Sequence, residues 1–330
     1  FEGYSEDPYL VTKLAPEIVK GIQSYGVSAT VKHYAANSQE TNRLDIDERI
    51  TKRALEEIFL PGFCACVKEG GTKTIMNAYN KINGARCTEN KWLLQDKLRD
   101  DFGFDGMVMS DWGAALDPAK ALDGGTDLAM PGPANPKAIY EAVKNGAVSE
   151  EVLDRACKRI LNVYSWILEH YRKEEVDALP IEAVLEKTDA AAYDAACEGI
   201  VLLKNDGSCP LAKQTKLAIL GSGSKQMLEC GSGSAGIDTS RHGDVKAEFA
   251  RYFELVDTAD AEYVVVIAVI SGMEGNDREN LFLAGEDLDI LAKLKKQNKN
   301  VILVLNTCGP VDMREIETEN VKTVFCTFLP

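Results

Sequence analysis

Short apolar runs alternate with helical stretches along most of this chain, and that alternation constrains its fold more than any other feature. From residue 9 to about 165, Leu14, Ile18 and Ile22 recur at helical spacing, and Val27–Lys32 is rich in β-formers. Residues 48–69 carry Leu55, Ile58, Phe59 and Val67 on one helical side, with an interruption expected at Pro61-Gly62. Lys73–Ala78 has strand character; Thr88 is placed to cap a helix through Trp92, Leu94 and Leu98 that stops at Gly103. Met107–Ser110 reads as a buried strand, followed by a short helix and by Asp127-Leu-Ala-Met130, which Pro131-Gly132 closes. Helices are expected over 135–145 and 149–171, the second capped by Ser149. Strand and helix in strict alternation means parallel β/α architecture, and polar residues at strand ends favour a barrel over an open sheet.

A charged, irregular stretch, 172–190, reads as a linker, dividing the chain into domains 1–171 and 191–330. Beyond it Gly199–Lys204 is a strand ended by the turn signal Asn205-Asp206-Gly207. Lys216–Leu220, Tyr263–Ile270, Val301–Leu305 and Val321–Phe328 are Val- and Ile-rich buried strands, and a helix over 285–297 lines up Leu288, Leu291 and Leu294. This second unit reads as a layered sheet with helices on both sides.

Composition excludes several function classes. A formal charge of −15 argues against nucleic acid and against an anionic membrane surface as partners. No run of about eighteen apolar residues exists, so no transmembrane helix is expected. Nine cysteines, scattered singly except for Cys64-Ala-Cys66, point to free thiols rather than a disulfide framework or zinc site. Three histidines (His33, His170, His242) are too dispersed for a metal centre, so no metal and no cofactor is expected. The free thiols tilt the compartment toward the cytoplasm, but the chain starts at Phe1 rather than Met and an export signal could precede it, so the compartment stays open. Oligomeric state is not legible.

Asp111 ends the apolar run Gly106-Met-Val-Met-Ser-Asp-Trp112. On local sequence the leading reading is an N-cap for a helix starting near Ala114. The other reading is chemical: a carboxylate at the mouth of a buried strand, beside an indole suited to the apolar face of a sugar ring, sits where barrel enzymes keep their reactive groups.

The segments taken together resemble glycoside hydrolase family three, β-glucosidase type. The resemblance rests on six motifs in order: Phe1-Glu-Gly-Tyr-Ser-Glu-Asp-Pro8, Lys32-His-Tyr-Ala-Ala-Asn37, Ile75-Met-Asn-Ala-Tyr-Asn-Lys-Ile-Asn-Gly84, Gly103-Phe-Asp-Gly-Met-Val-Met-Ser-Asp-Trp112, Glu198-Gly-Ile-Val-Leu-Leu-Lys-Asn-Asp206 and Ser271-Gly-Met-Glu-Gly-Asn-Asp-Arg278. It implies an α/β protein, a partial (β/α)8-type barrel followed by a six-stranded α/β sandwich. Set against the family pattern, the chain starts just after an expected sugar-binding Arg and stops before a Gly-rich segment, so it is expected to be a fragment or one piece of a larger assembly.

The resemblance also implies site residues. Asp111 would be the nucleophile and Glu274 the acid/base of a retaining exo-β-glucosidase, a mechanism needing two carboxyl groups about 5–5.5 Å apart. Lys32 and His33 would bind glycone hydroxyls and are candidates for keeping Asp111 ionised; without the resemblance they are an ordinary polar pair at a strand end. Met76 and Tyr79 would line the sugar pocket, with Tyr79 a possible donor to Asp111; Met76 is equally a core residue. Trp112 would be a ring platform, and Ser232 lies in the Gly/Ser loop Cys230–Ser234 that would reach the substrate. That loop lacks the Lys-Ser/Thr signature of a phosphate cradle. Arg278 is expected to pair with Asp277 and hold the acid/base loop. The implied partner is a small carbohydrate. The alternatives are β-xylosidase or α-arabinofuranosidase activity, and a non-catalytic sugar-binding fragment. The N-acetylglucosaminidase branch, with its Lys-His-Phe-Pro-Gly-His-Gly motif, fits less well.

Overall fold

The structure, a computed structural model, describes residues 3–133, 135–231, 233–239 and 243–329. Contacts divide it into two compact units, Gly3–Leu179 and the chain from Pro180 onward.

The first unit holds β1 (Thr30–Tyr34), β2 (Asp47–Glu48), β3 (Thr74–Asn77), β4 (Lys81–Ile82), β5 (Ala85–Arg86) and β6 (Met107–Ser110). Strands β1, β3 and β6 form a parallel sheet in that order, and Leu128 bridges in parallel to Met109 on its far side. One face of the sheet, carrying Ile75 and Val108, packs with Tyr34 against Leu55, Leu60, Leu93, Leu94 and Leu98 from the helical segments between strands. The opposite face carries Met76 in register with Met109. The two-residue strands β2, β4 and β5 form a separate small sheet that the apolar pattern does not announce.

The helical segment expected over 48–69 begins at Lys52, capped by Thr51, and is interrupted where expected, before Pro61. The helix through Trp92 is capped by Asn90, whose side chain accepts from the Leu93 amide; Thr88 instead points its hydroxyl at the Ala114 carbonyl. Asn90 wins because it immediately precedes the helix and its side chain reaches the amide three residues on, the geometry a cap needs. On helix Pro8–Gln23 the buried side is Ala15, Pro16 and Val19, whereas Leu14, Ile18 and Ile22 are exposed. Small residues face the neighbouring helix Pro61–Lys68, and a Cβ on Gly62 would come within 2.7 Å of Val11. Close backbone approach, rather than the largest apolar side chains, sets this interface. Ser149 precedes helix Glu150–His170 in extended conformation without a side-chain capping bond.

The second unit holds β7 (Val201–Asn205), β8 (Lys216–Leu220), β9 (Glu254–Leu255), β10 (Tyr263–Ile270), β11 (Asn300–Thr307) and β12 (Val321–Cys326). They form one six-stranded sheet, ordered β7-β12-β11-β10-β8-β9, parallel except for β7. Alternate residues of β10 and β11 enter two different cores: Val264, Val266, Leu303 and Leu305 one, Val265, Ile267, Ile302 and Val304 the other. Burial on both faces is why these strands read as unbroken apolar runs. Leu291 and Leu294 of helix Gly285–Lys296 are buried, and Leu288 packs beside them.

Residues 172–190 are not irregular. They form helix Lys173–Asp177 and much of Ile181–Gly199, in which no residue is buried. Ala, Glu and Lys give this segment helix propensity without the apolar stripe that would have announced it. The overall class is α/β, as expected: a β/α unit built on a parallel sheet, then a six-stranded sheet with a core on each face.

Candidate active site

In a parallel β/α sheet every strand delivers its C-terminal end to the same side, so residues distant in sequence meet there. Asp111 is the first residue after β6 and is 8% exposed. Its Oδ2 lies 3.3 Å from Nε2 of His33, near the end of β1, and its Oδ1 accepts from the Trp112 amide at 2.7 Å. The N-cap reading of Asp111 does not describe this place. The next helix begins at Pro118, and its cap is Asp117, which accepts from the Lys120 amide.

Tyr79 lies just beyond β3. Its hydroxyl donates to the carbonyl of Trp112 at 3.1 Å, so its proton goes to the backbone beside Asp111 rather than to the carboxylate. Trp112 is 56% exposed, open enough for a ring to stack on. Lys32 is exposed on β1 and Met76 half-buried on β3. The structure thus brings His33, Asp111, Trp112 and Tyr79 together and puts Lys32 and Met76 on the strands that carry them.

One cation at this end was not anticipated. Arg43, in the loop after β1, stacks over the Tyr79 ring at 4.8 Å and pairs with Glu40 at 2.8 Å. The Glu40-x-x-Arg43 spacing shortly after Lys32-His33 was the available signal. Behind the strand, Asp127 is also a finding of the structure. Its buried carboxylate meets Arg99 at 2.8 Å and Arg159 at 3.0 Å, and accepts from the Val108 amide of β6 at 2.8 Å. Burial raises the Asp127 carboxyl against the pull of the guanidiniums and brings Arg99 down to about 10.

In the second unit Glu274 sits four residues past β10, half-buried, in a turn closed by a bridge between Met273 and Asn276. Strand β10 is central. The path from β8 to β9 goes one way across the sheet and the path to β10 returns past β8, so the Glu274 loop leaves a topological switch point, where open α/β sheets place ligand sites. The Glu274 Oε2 accepts from the Ser234 amide at 2.9 Å. Arg278, expected to pair with Asp277, instead turns its Nη2 to the carbonyl of Pro310, donating at 2.9 Å: the guanidinium meets a backbone oxygen rather than the neighbouring carboxylate. Ser232 lies outside the described residues. Among the described residues no group of three His, Cys, Asp or Glu side chains is arranged to hold a metal, and no helix is long and apolar enough to cross a membrane.

Residues 1–163 match the Glycosyl hydrolase family 3 N terminal domain, and residues 200–330 match the Glycosyl hydrolase family 3 C-terminal domain. The chain belongs to glycosyl hydrolase family 3. Within the family it is similar to an exo-alpha-(1->6)-L-arabinopyranosidase of Bifidobacterium longum, 37% identical over 93% of this chain and 44% of that protein. It is also similar to thermostable beta-glucosidase B of Acetivibrio thermocellus, 36% identical over 100% of this chain and 47% of that one. Beta-glucosidase 3B of Thermotoga neapolitana, solved in complex with glucose, superposes with a TM-score of 0.88 at 31% identity, covering 99% of this chain and 54% of that one. The chain therefore spans about half the length of these family 3 relatives.

Proposed function

We propose that this chain carries the catalytic carboxyl pair of a retaining, exo-acting β-glucosidase that releases terminal β-linked glucose from oligosaccharides or glycosides. The observation that carries the reading is Asp111, a buried carboxylate at a strand's C-terminal end, with His33 at 3.3 Å and an exposed indole beside it. Asp111 attacks the anomeric carbon while Glu274 gives its proton to the departing glycosidic oxygen, leaving a glycosyl ester on Asp111. Glu274, now ionised, takes a proton from water. That water attacks the same carbon and frees Asp111, so two displacements retain the configuration. His33 donates to Asp111 and, with Lys32, to glycone hydroxyls. Trp112 stacks against the ring, and Met76 and Tyr79 complete the wall on the first unit's side. No step calls for a cofactor. The domains 1–171 and 191–330 then carry the nucleophile and the acid/base.

A second reading is favoured by one finding, the 37% identity to an enzyme named for α-L-arabinopyranoside. Such a pyranoside lacks the C6 hydroxymethyl of glucose, and the same carboxyl pair would serve it. The test is turnover by the full-length protein of p-nitrophenyl β-glucoside against p-nitrophenyl α-L-arabinopyranoside, with Asp111→Ala as control. Loss of at least about 10³-fold in kcat in the variant is expected. A 2-deoxy-2-fluoroglucoside should leave a stable sugar adduct on the peptide containing Asp111. An adduct elsewhere, or an active Asp111→Ala variant, removes the assignment, and no turnover of any glycoside leaves the sugar-binding alternative.

A further inference from the structure

The carboxylate of Glu274 rests against a loop distant in sequence, and the loop has no side chain where the two meet. Gly233 holds φ +69, and a Cβ built on it would lie 1.8 Å from Glu274 Oε2, 2.9 Å from Cδ and 3.0 Å from Cβ. The next residue, Ser234, donates its amide to the same Oε2 at 2.9 Å. An absent methyl and an oriented N–H therefore act together on one oxygen. The first makes room for the carboxylate and the second fixes its direction.

The chain leading into this loop is held in place. Asn306, near the end of β11 and wholly buried, accepts from the Leu228 amide at 2.5 Å and donates to the Leu228 carbonyl at 2.9 Å. The segment entering the Cys230–Ser234 loop is thus pinned to the central sheet. On the other side, Arg278 ties the end of the Glu274 loop to Pro310. One tie is to β11 and the other to the segment just beyond it, and the two loops meet at Glu274 against Gly233.

We propose that Gly233 is a positioning residue for the acid/base carboxyl: Gly233 and the Ser234 amide form a seat that sets where Glu274 delivers its proton. The proposal rests on Glu274 being the acid/base and adds what places it. A Cβ at 233 has to push the carboxylate away, because both its oxygen and its Cδ are inside contact distance. A displaced acid fails most where the leaving group needs its proton most.

The experiment compares the full-length protein with Gly233→Ala on a dinitrophenyl β-glucoside and on cellobiose. The expected result is a loss in kcat of about 10²-fold on cellobiose and less than about 5-fold on the first glycosylation step of the dinitrophenyl substrate, with KM little changed. Gly233→Asn should behave alike. Asn tolerates left-handed backbone better than Ala but still brings a Cβ, so an equal loss assigns the effect to the clash rather than to φ. In a Glu274→Ala background Gly233→Ala should have no further effect, since the group it displaces is gone. If Gly233→Ala misfolds, combining it with Glu274→Gly, which also removes the Cβ 3.0 Å away, should restore folding. Equal losses on both substrates, an undiminished loss in the Glu274→Ala background, or a double variant that also misfolds overturns the seat. If instead Glu274→Gln alone shows no leaving-group dependence, it is the acid/base assignment that falls, whatever Gly233 does.

Discussion

His33 Nε2 reaches Asp111 Oδ2 at 3.3 Å across an intervening strand. The sheet order is β1-β3-β6, so the strands carrying these residues are not hydrogen-bonded to each other, and adjacent strands lie about 4.8 Å apart. Only side chains projecting past the end of β3 can close that gap. The first strand pair helps, because its register slips between Val31 and Tyr34, the stretch that contains His33. A single imidazole thereby orients a carboxylate that also accepts from the Trp112 amide.

Replacing His33 with Ala removes that donor at the end of β1, beside rather than within the apolar cluster around Tyr34 and Ile75. The expected outcome is a fall of about 10²-fold in kcat/KM on an aryl β-glucoside, with the unfolding midpoint nearly unchanged. Unchanged steady-state kinetics would show that Asp111 does not depend on this contact.

Asp127→Asn keeps the shape of the buried cluster but leaves Arg99 and Arg159 without their counter-charge. Arg99 remains protonated at neutral pH even at about 10. Breaking a buried pair by removing one partner is expected to cost about 3–5 kcal/mol, read from denaturant unfolding of the variant against the parent. A change below about 1 kcal/mol would mean that the cluster contributes little.

Gly106 lies at the entrance to β6, where a Cβ would stand 2.1 Å from the Lys73 carbonyl oxygen. That oxygen accepts from the Met107 amide at 3.0 Å, so the contact is backbone against backbone and cannot be relieved by a rotamer change. Gly106→Ala should destabilise by about 3 kcal/mol and shift the strand that ends in Asp111. A fully stable and fully active variant would contradict the register described.

Thiol chemistry separates the cysteines by burial. Cys157 and Cys197 are exposed and should react first with a disulfide reagent at pH 8, whereas Cys66 and Cys87 should react only on unfolding. Burial pushes the Cys87 thiol up to about 12 and Cys66 to about 11, from an ordinary value near 9. Above pH 9 the unfolded chain releases these protons while the folded chain keeps them. Stability is therefore intact below about 9 and is lost as pH rises toward 12. Relative to Cys87→Ala, the parent should lose stability across that window in thermal melts; parallel curves would rule out a buried, protonated Cys87.

Particular elements explain what the sequence made legible. β10 is Tyr263–Ile270, the residues expected for it, because burial on both faces leaves an unbroken apolar run bounded by polar residues. Strands β2, β4 and β5 have two residues each, too few to carry a period, and the helices within 172–190 bury nothing, so no stripe marks them. Leu14, Ile18 and Ile22 mark a helix correctly, but periodicity does not say which apolar side will find a neighbour.

Local periodicity by itself determined the alternation of strands and helices, the α/β class and the position of Asp111 at a strand end. Motif resemblance singled out Glu274. Only the tertiary structure decided that His33 meets Asp111, that Tyr79 serves the Trp112 backbone, that Asp127 is held between two arginines, and that Glu274 rests on Gly233. The physical reason is range. Strand and helix patterns come from neighbours within a few residues, whereas these contacts follow from strand order, register and the packing of loops far apart in the chain.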